Sequence, residues 1–356
     1  MKIDAFPHIL PRRYFDRMIA AASGPASYMQ KRTAGVPCLY DLDERFRVMD
    51  RFEGYVQVLT LSSPPVEALG DPALTRDLAR LANDEMADLV RRYPDRFLGF
   101  AASLPMNDPD AAVREAERAT SDLDALGVQI YTNVNGLPLD DPRFEPLFAR
   151  MAELDRAIWV HPARTATMPD YPSENRSKYE LWWVFGWPYE TAIFMSRLIF
   201  SGHLDRYPNL RILTHHAGGM VPHFAGRIGP GLDQLGARTP EEDLGALARR
   251  LRKRPFDYYK MFYGDTALFG AEHALRCAIE FFGVDHMLFG SDMPFDPEKG
   301  PQFIRETIAN LDAIGLSAAD RQRIDEQNAR RVLRIASPRE REARVERAPS
   351  GPATSS

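Results

Sequence analysis

Phe97-Leu98-Gly99-Phe100-Ala101-Ala102, a helical stretch over Pro109–Leu126, and Val128-Gln129-Ile130-Tyr131 together spell one strand–helix–strand unit. The outer runs are short and apolar, whereas Ala, Leu, Arg and Glu recur at helical spacing between them. A helical crossover between two strands argues for parallel pairing with the helix packed outside. The rhythm continues outward in both directions. Strands are predicted at Lys2–Phe6, Tyr55–Leu61, Ala157–His161, Arg211–His215, Tyr259–Tyr263 and Met287–Gly290, with another helical pattern over Pro72–Tyr93. Together with the opening pair they make eight, the number that closes an α/β fold into a (β/α)8 TIM barrel. An open doubly wound sheet is the competitor, but no Gly-rich dinucleotide turn follows the first strand.

Bulk properties agree with one large domain. The 356 residues are 44% hydrophobic and 27% charged, enough for a substantial core. A formal charge of −5, with acidic and basic residues interspersed, argues against nucleic acid or an anionic membrane as the main partner. Cys38 and Cys277 are too few for a disulfide framework or an all-thiolate metal site. No basic segment leading into an apolar run opens the chain and no stretch is long enough to span a bilayer, so a cytoplasmic protein is expected. The barrel is expected over residues 1–337, with Tyr14–Leu39 as a small cap insertion. Pro162–Pro188, which carries Trp182, Trp183 and Trp187 ahead of a helix near Glu190, reads as a lid or pocket wall. Residues 338–356 end in Ala348-Pro349-Ser350-Gly351-Pro352-Ala353-Thr354-Ser355-Ser356, which cannot pack a core and reads as a disordered tail.

Strand ends carry the candidate chemistry. His8, His161, His215, His216 and Asp292 all fall at or just beyond predicted strand ends, which converge on one pocket in a barrel. Two imidazoles and a carboxylate form a common ligand set for zinc that leaves a position open for water or substrate. Each residue also has a plainer role: His8 as a turn residue, Asp292 as the cap of a short helix begun at Met293-Pro294. A first strand ending in acid-or-His, any residue, then His would supply two ligands; Phe6 stands in the first of those places and leaves only His8. Successive strand residues face opposite sides, so His215 and His216 are not expected to enter one pocket together. Arg45 and Arg47, on a predicted helix ahead of the second strand, could reach a substrate carboxylate or form surface ion pairs.

Several separated blocks resemble the decarboxylase branch of the amidohydrolase superfamily, which includes aminocarboxymuconate semialdehyde and γ-resorcylate decarboxylases. They include Ile3-Asp4 through Pro11, Arg47-Val48-Met49-Asp50, Val160-His161-Pro162, Gly186-Trp187-Pro188-Tyr189-Glu190-Thr191, His216-Ala217-Gly218-Gly219, Asp265-Thr266 and Leu288 through Phe295. The resemblance implies one divalent ion, zinc or manganese, held by His8, His161 and Asp292. It implies His216, with Asp292, as the catalytic group that moves a proton or activates water, and does not match His215 to that role. Arg47 falls in the block associated with the substrate carboxylate, with Arg45 as the alternative register, and Trp187 in the pocket-lining loop. Phe6 departs from the pattern, since relatives carry Glu or His there; an aromatic side chain in that place could stack on substrate. The implied reaction is non-oxidative decarboxylation of a phenolic or unsaturated carboxylic acid by a homodimer. Hydrolysis of an ester, lactone or carbon–carbon bond is the alternative, and a metal-free binding protein is the third reading, supported by Phe6.

Overall fold

The computed structural model describes residues 1–21, 31–239 and 243–336. Eight parallel strands follow one another around a single sheet in chain order: β1 (Lys2–Asp4), β2 (Tyr55–Leu61), β3 (Phe97–Ser103), β4 (Gly127–Tyr131), β5 (Ala157–His161), β6 (Arg211–Thr214), β7 (Tyr263–Asp265) and β8 (Met287–Leu288). Helices such as Pro72–Arg92 and Pro109–Asp122 form the outer layer. Asp71 and Asp108 cap these two, each accepting a backbone N–H three residues on, with Pro at the first helical position. Among the described residues no helix is long and apolar enough to cross a membrane.

The period of two sorts the side chains. On β5, Ala157 and Trp159 enter the barrel interior with Ile3, Phe6, Val56 and Leu213, while Ile158 and Val160 face the helix layer. His161 continues the inward row and therefore comes out at the C-terminal mouth. Trp159 is fully buried, and its Nε1–H donates to the Ala5 carbonyl at 2.8 Å, tying β5 to the first strand across the interior. Gly127 begins β4 where a Cβ would stand 2.0 Å from the Ala157 carbonyl oxygen, so no side chain fits.

The seam between the first and last strands is closed by chain just beyond the ladders. Ala5 N donates to Phe289 O at 2.8 Å, Asp292 N to Phe6 O at 3.2 Å and His8 N to Met293 O at 2.8 Å. Asp4 staples the same seam, taking Ser291 N at 3.1 Å and the Ser291 hydroxyl. Along β2, Asp4 pairs with Gln57 and His8 with Thr60, so three residues, Ala5 to Pro7, lie opposite two. That extra residue is a bulge, which re-aims the side chains that follow.

The predicted strand Tyr259–Tyr263 needs correction. Pro255–Tyr259 is a helix with proline at its first position, and the strand starts at Tyr263 and ends at Asp265. The helix expected near Glu190 starts at Gly186, preceded by a short helix at Leu181–Val184. In the expected cap, Arg12–Ala21 is helical and packs on the barrel, with Tyr14 N bonded to Glu85 at 2.7 Å. Residues 22–30 of that cap, and the expected tail at 338–356, lie outside the described residues.

Candidate metal centre and active site

Five strand ends deliver one buried cluster. The bulge after β1 presents His8, β5 ends on His161, β7 ends on Asp265, and the turns after β6 and β8 carry His215, His216 and Asp292. All six side chains are buried. The expectation that only one of His215 and His216 enters the pocket is overturned. β6 stops at Thr214, and His216 and Ala217 adopt left-handed backbone with φ of +53° and +51°. This coils the chain so that both rings face Asp292, with His215 Nε2 3.2 Å from Oδ1 and His216 Nε2 3.5 Å from Oδ2. Asp292 is itself left-handed, at φ +62°. Each such non-glycine residue costs about 1–2 kcal/mol, so the fold spends stability here to set side-chain directions. The strand-end reading of Asp292 holds over the capping one, because no helix starts at Met293.

Hydrogen bonds decide which ring nitrogens are free. Thr60 Oγ1 donates its proton to the Pro7 carbonyl at 2.7 Å and lies 3.2 Å from His8 Nδ1. Its oxygen must therefore accept from His8 Nδ1–H, which leaves His8 Nε2 a bare acceptor. His161 Nδ1 is likewise 2.8 Å from the Pro162 carbonyl, which can only accept. His215 Nδ1 is bonded to Asp265 Oδ2, while Ala217 N and Ala267 N hold Oδ1 at 3.0 and 3.2 Å. Thus His8 Nε2, at 2.9 Å and outside hydrogen-bond geometry, points a lone pair at Asp292 Oδ1, while His215 Nε2 faces the same oxygen at 3.2 Å and donates to it as long as the ring is protonated. A lone pair turned on a buried carboxylate leaves a place that a cation would fill.

Nitrogens of His8, His161 and His215 lie within 4.8 Å of one another, and so do the donor atoms of His215, His216 and Asp292. A divalent cation fits this donor set: the atoms are of the borderline kind that zinc and manganese accept, and each Nδ1–H of His8, His161 and His215 is anchored by an oxygen behind it. The electrostatics agree. Burial pulls His8, His161 and His216 below the ordinary histidine range, and neighbouring imidazoles pull His161 further. Burial opposes charge on His215 too, but Asp265 and Asp292 outweigh it and push the ring up to about 9. For Asp292 burial favours the neutral acid, yet the surrounding histidines hold it well below the usual carboxylate range.

Beside the cluster lies a cavity of ≈ 320 Å³ whose lining includes Ser63, Tyr131, Arg164, Trp182 and Trp187. The rings of Tyr131 and Trp187 sit 5.1 and 5.0 Å from that of His161, so these two walls stand between the cavity and the cluster. Phe6 stacks on His215 at 3.9 Å and 17°, inside the barrel. Arg47 does not reach the site: its side chain is 67% exposed and pairs with Glu44. Arg45, the alternative in the sequence, is wholly buried and donates to the His8 carbonyl at 2.8 Å and to Gln57 at 2.8 Å. It braces the backbone of a cluster residue. Sequence reasoning placed His215 at a strand end but set it aside in favour of His216, and it gave no role to Asp265 or Thr60; the position of Asp265 at a strand end was hidden by the misplaced seventh strand.

Residues 38–335 match the family model described as amidohydrolase. The chain is 33% identical over 256 residues, 72% of its length and 67% of the relative's, to a 2-amino-3-carboxymuconate-6-semialdehyde decarboxylase of Dictyostelium discoideum. It is 32% identical over 310 residues, 82% and 87% of the two chains, to a γ-resorcylate decarboxylase of Rhizobium radiobacter. Among solved structures it is similar to a dihydroxybenzoic acid decarboxylase from Polaromonas sp. JS666 holding manganese and the inhibitor 2-nitroresorcinol. The TM-score is 0.73 at 27% identity, covering 94% of this chain and 97% of that one.

Proposed function

The chain belongs to the amidohydrolase family, and from that premise we propose that it is a divalent-metal-dependent, non-oxidative decarboxylase of a phenolic or unsaturated carboxylic acid. The observation that carries the reading is the set of imidazole nitrogens turned on Asp292 beside an aromatic-walled cavity. The decarboxylases at 32% and 33% identity supply the reaction class. His8, His161 and Asp292 would hold the ion; zinc suits the nitrogen-rich set, and manganese, present in the Polaromonas relative, is the alternative. When bound, such an ion orients substrate oxygens and stabilises charge developing on them.

The chain's own residues do the rest. Trp187 and Tyr131 flank the space beside His161 and present apolar faces to a flat substrate. Burial keeps His216 in the form that can take and return a proton, and Asp292 Oδ2 lies 3.5 Å from its Nε2. His216 would take a proton from the bound substrate acid or from solvent and return it to the substrate carbon that bears the carboxylate, with ionised Asp292 beside its Nε2 stabilising the protonated ring in between. The carbon–carbon bond then breaks, its electron pair restores the unsaturated system, and carbon dioxide leaves. Phe6 excludes water from behind His215. We take the protein to act in the cytoplasm as a homodimer; exposed aromatics such as Tyr179, Phe185 and Tyr189 after β5 would suit a contact between copies.

The test is metal content by plasma mass spectrometry on protein purified without chelator, with carbon dioxide release from 2,6-dihydroxybenzoate and related hydroxybenzoic acids. The expected result is near-stoichiometric zinc or manganese with turnover, both lost in His161→Ala. A wild type that takes up no metal on titration would refute the reading. Label from heavy-oxygen water appearing in an acid product would assign hydrolysis instead.

A further inference from the structure

We propose that His215 is a direct ligand of the metal ion, so that His8, His161 and His215 bind it together with Asp292. The inference rests on the metal-dependent reading above and changes the ligand set assumed there. Its first support is orientation. Asp265 holds His215 Nδ1, and two backbone N–H groups in turn hold Asp265, so His215 Nε2 has a fixed direction towards Asp292, and a cation that displaces its proton there meets its lone pair. A carboxylate behind one ring nitrogen is the arrangement that keeps the other nitrogen in ligating form.

The second support is position. A nitrogen of His215 lies within 4.8 Å of those of His8 and His161, and its Nε2 is 3.2 Å from Asp292 Oδ1, the oxygen that His8 Nε2 also faces. A single ion near that oxygen is in reach of all three imidazoles. The third is packing. Phe6 covers one face of the His215 ring at 3.9 Å and His216 sits at 3.8 Å. A ring clamped between neighbours can offer only its edge, and that edge carries Nε2. Gly290 belongs to the same support, since a Cβ there would stand 2.9 Å from Cβ of Asp265.

His216 differs in how it is anchored. No carboxylate or carbonyl anchors its Nδ1 among the described residues, and only the contact with Asp292 orients its Nε2. The adjacent histidines thus divide the work: His215 coordinates, and His216 keeps the freedom a proton carrier needs.

Zinc K-edge X-ray absorption on the full chain loaded with one zinc counts bound imidazoles directly. Three are expected in the wild type, two in His215→Ala and three in His216→Ala. Calorimetric zinc titration should show His215→Ala weakened by more than ~100-fold, and Asp265→Asn by roughly 10- to 100-fold with the count still three. Two imidazoles in a wild type that turns over substrate would overturn the inference and leave the proposed function standing. A count that falls in His216→Ala but not in His215→Ala would overturn it as well. Failure of the wild type to bind zinc at all would overturn both. The wild-type count needs no variant, so a His215→Ala protein that does not fold leaves the test decisive.

Discussion

Glu67→Gln should stabilise the protein, and by an amount that grows with pH. Glu67 lies in the one-turn helix Val66–Ala68 just after β2. Its side chain is 3% exposed and its Oε1 has no hydrogen-bond partner. Burial lifts the carboxyl from an ordinary 4.5 to about 8. Between those values the folded protein keeps a proton that the unfolded chain has released. Stability from this group is therefore full below the lower value and is lost as pH rises through the upper one. At 1.36 kcal/mol per pH unit the loss is about 3 kcal/mol at pH 7 and about 5 kcal/mol above pH 8. Glutamine cannot ionise. The variant should gain about 3 kcal/mol over wild type at pH 7 and about 5 kcal/mol at pH 9, less about 1 kcal/mol for burying an extra amide donor. Urea unfolding followed by circular dichroism from pH 5 to pH 9 measures both proteins; the histidines titrate in both and cancel in the difference. A stability difference that stays constant across that range would show that Glu67 ionises normally and refute the reasoning.

Two further outcomes follow from the geometry. Gly127→Ala should cost about 3 kcal/mol or more in a thermal or urea melt, because the new Cβ would meet the Ala157 carbonyl at 2.0 Å and the Trp159 ring at 2.9 Å, forcing β4 from β5. His216→Gln should retain its metal, measured by plasma mass spectrometry, while kcat falls about 100- to 10 000-fold; an unchanged kcat would remove His216 from proton transfer.

The barrel was legible because its strands are short apolar runs whose period does not depend on distant contacts. Where the reading slipped, the competing signal was local. Tyr258 and Tyr259 have strand-like side chains, but Pro255 starts a helix through them, and the true strand is a three-residue piece holding Asp265. Arg45 and Arg47 are two positions apart on one helix, which turns them to nearly opposite sides; the helix buries Arg45, Val48 and Met49, so Arg47 faces water. His8, His161 and Asp292 were found because strand ends converge, which is a property of topology. His215 was set aside because the alternation of an ideal strand was carried past its end. The left-handed turn at His216 and Ala217 is imposed by the packed surroundings, and neither residue type announces it.

The seam of the barrel has a consequence in time. Ser291 N bonds to Asp4 across a separation of 287 residues, and Asp292 meets His8 over almost the same span. At a synthesis rate of about 5–20 residues per second, the first strand waits roughly 15 to 60 s for the segment that covers it. Through that interval Ile3, Ala5 and Phe6, all fully buried in the finished protein, have no last strand to shelter them. The nascent chain is thus open to mispairing along its first strand until the last one is made. An ion that needs both His8 and Asp292 can be captured only after synthesis has passed the eighth strand.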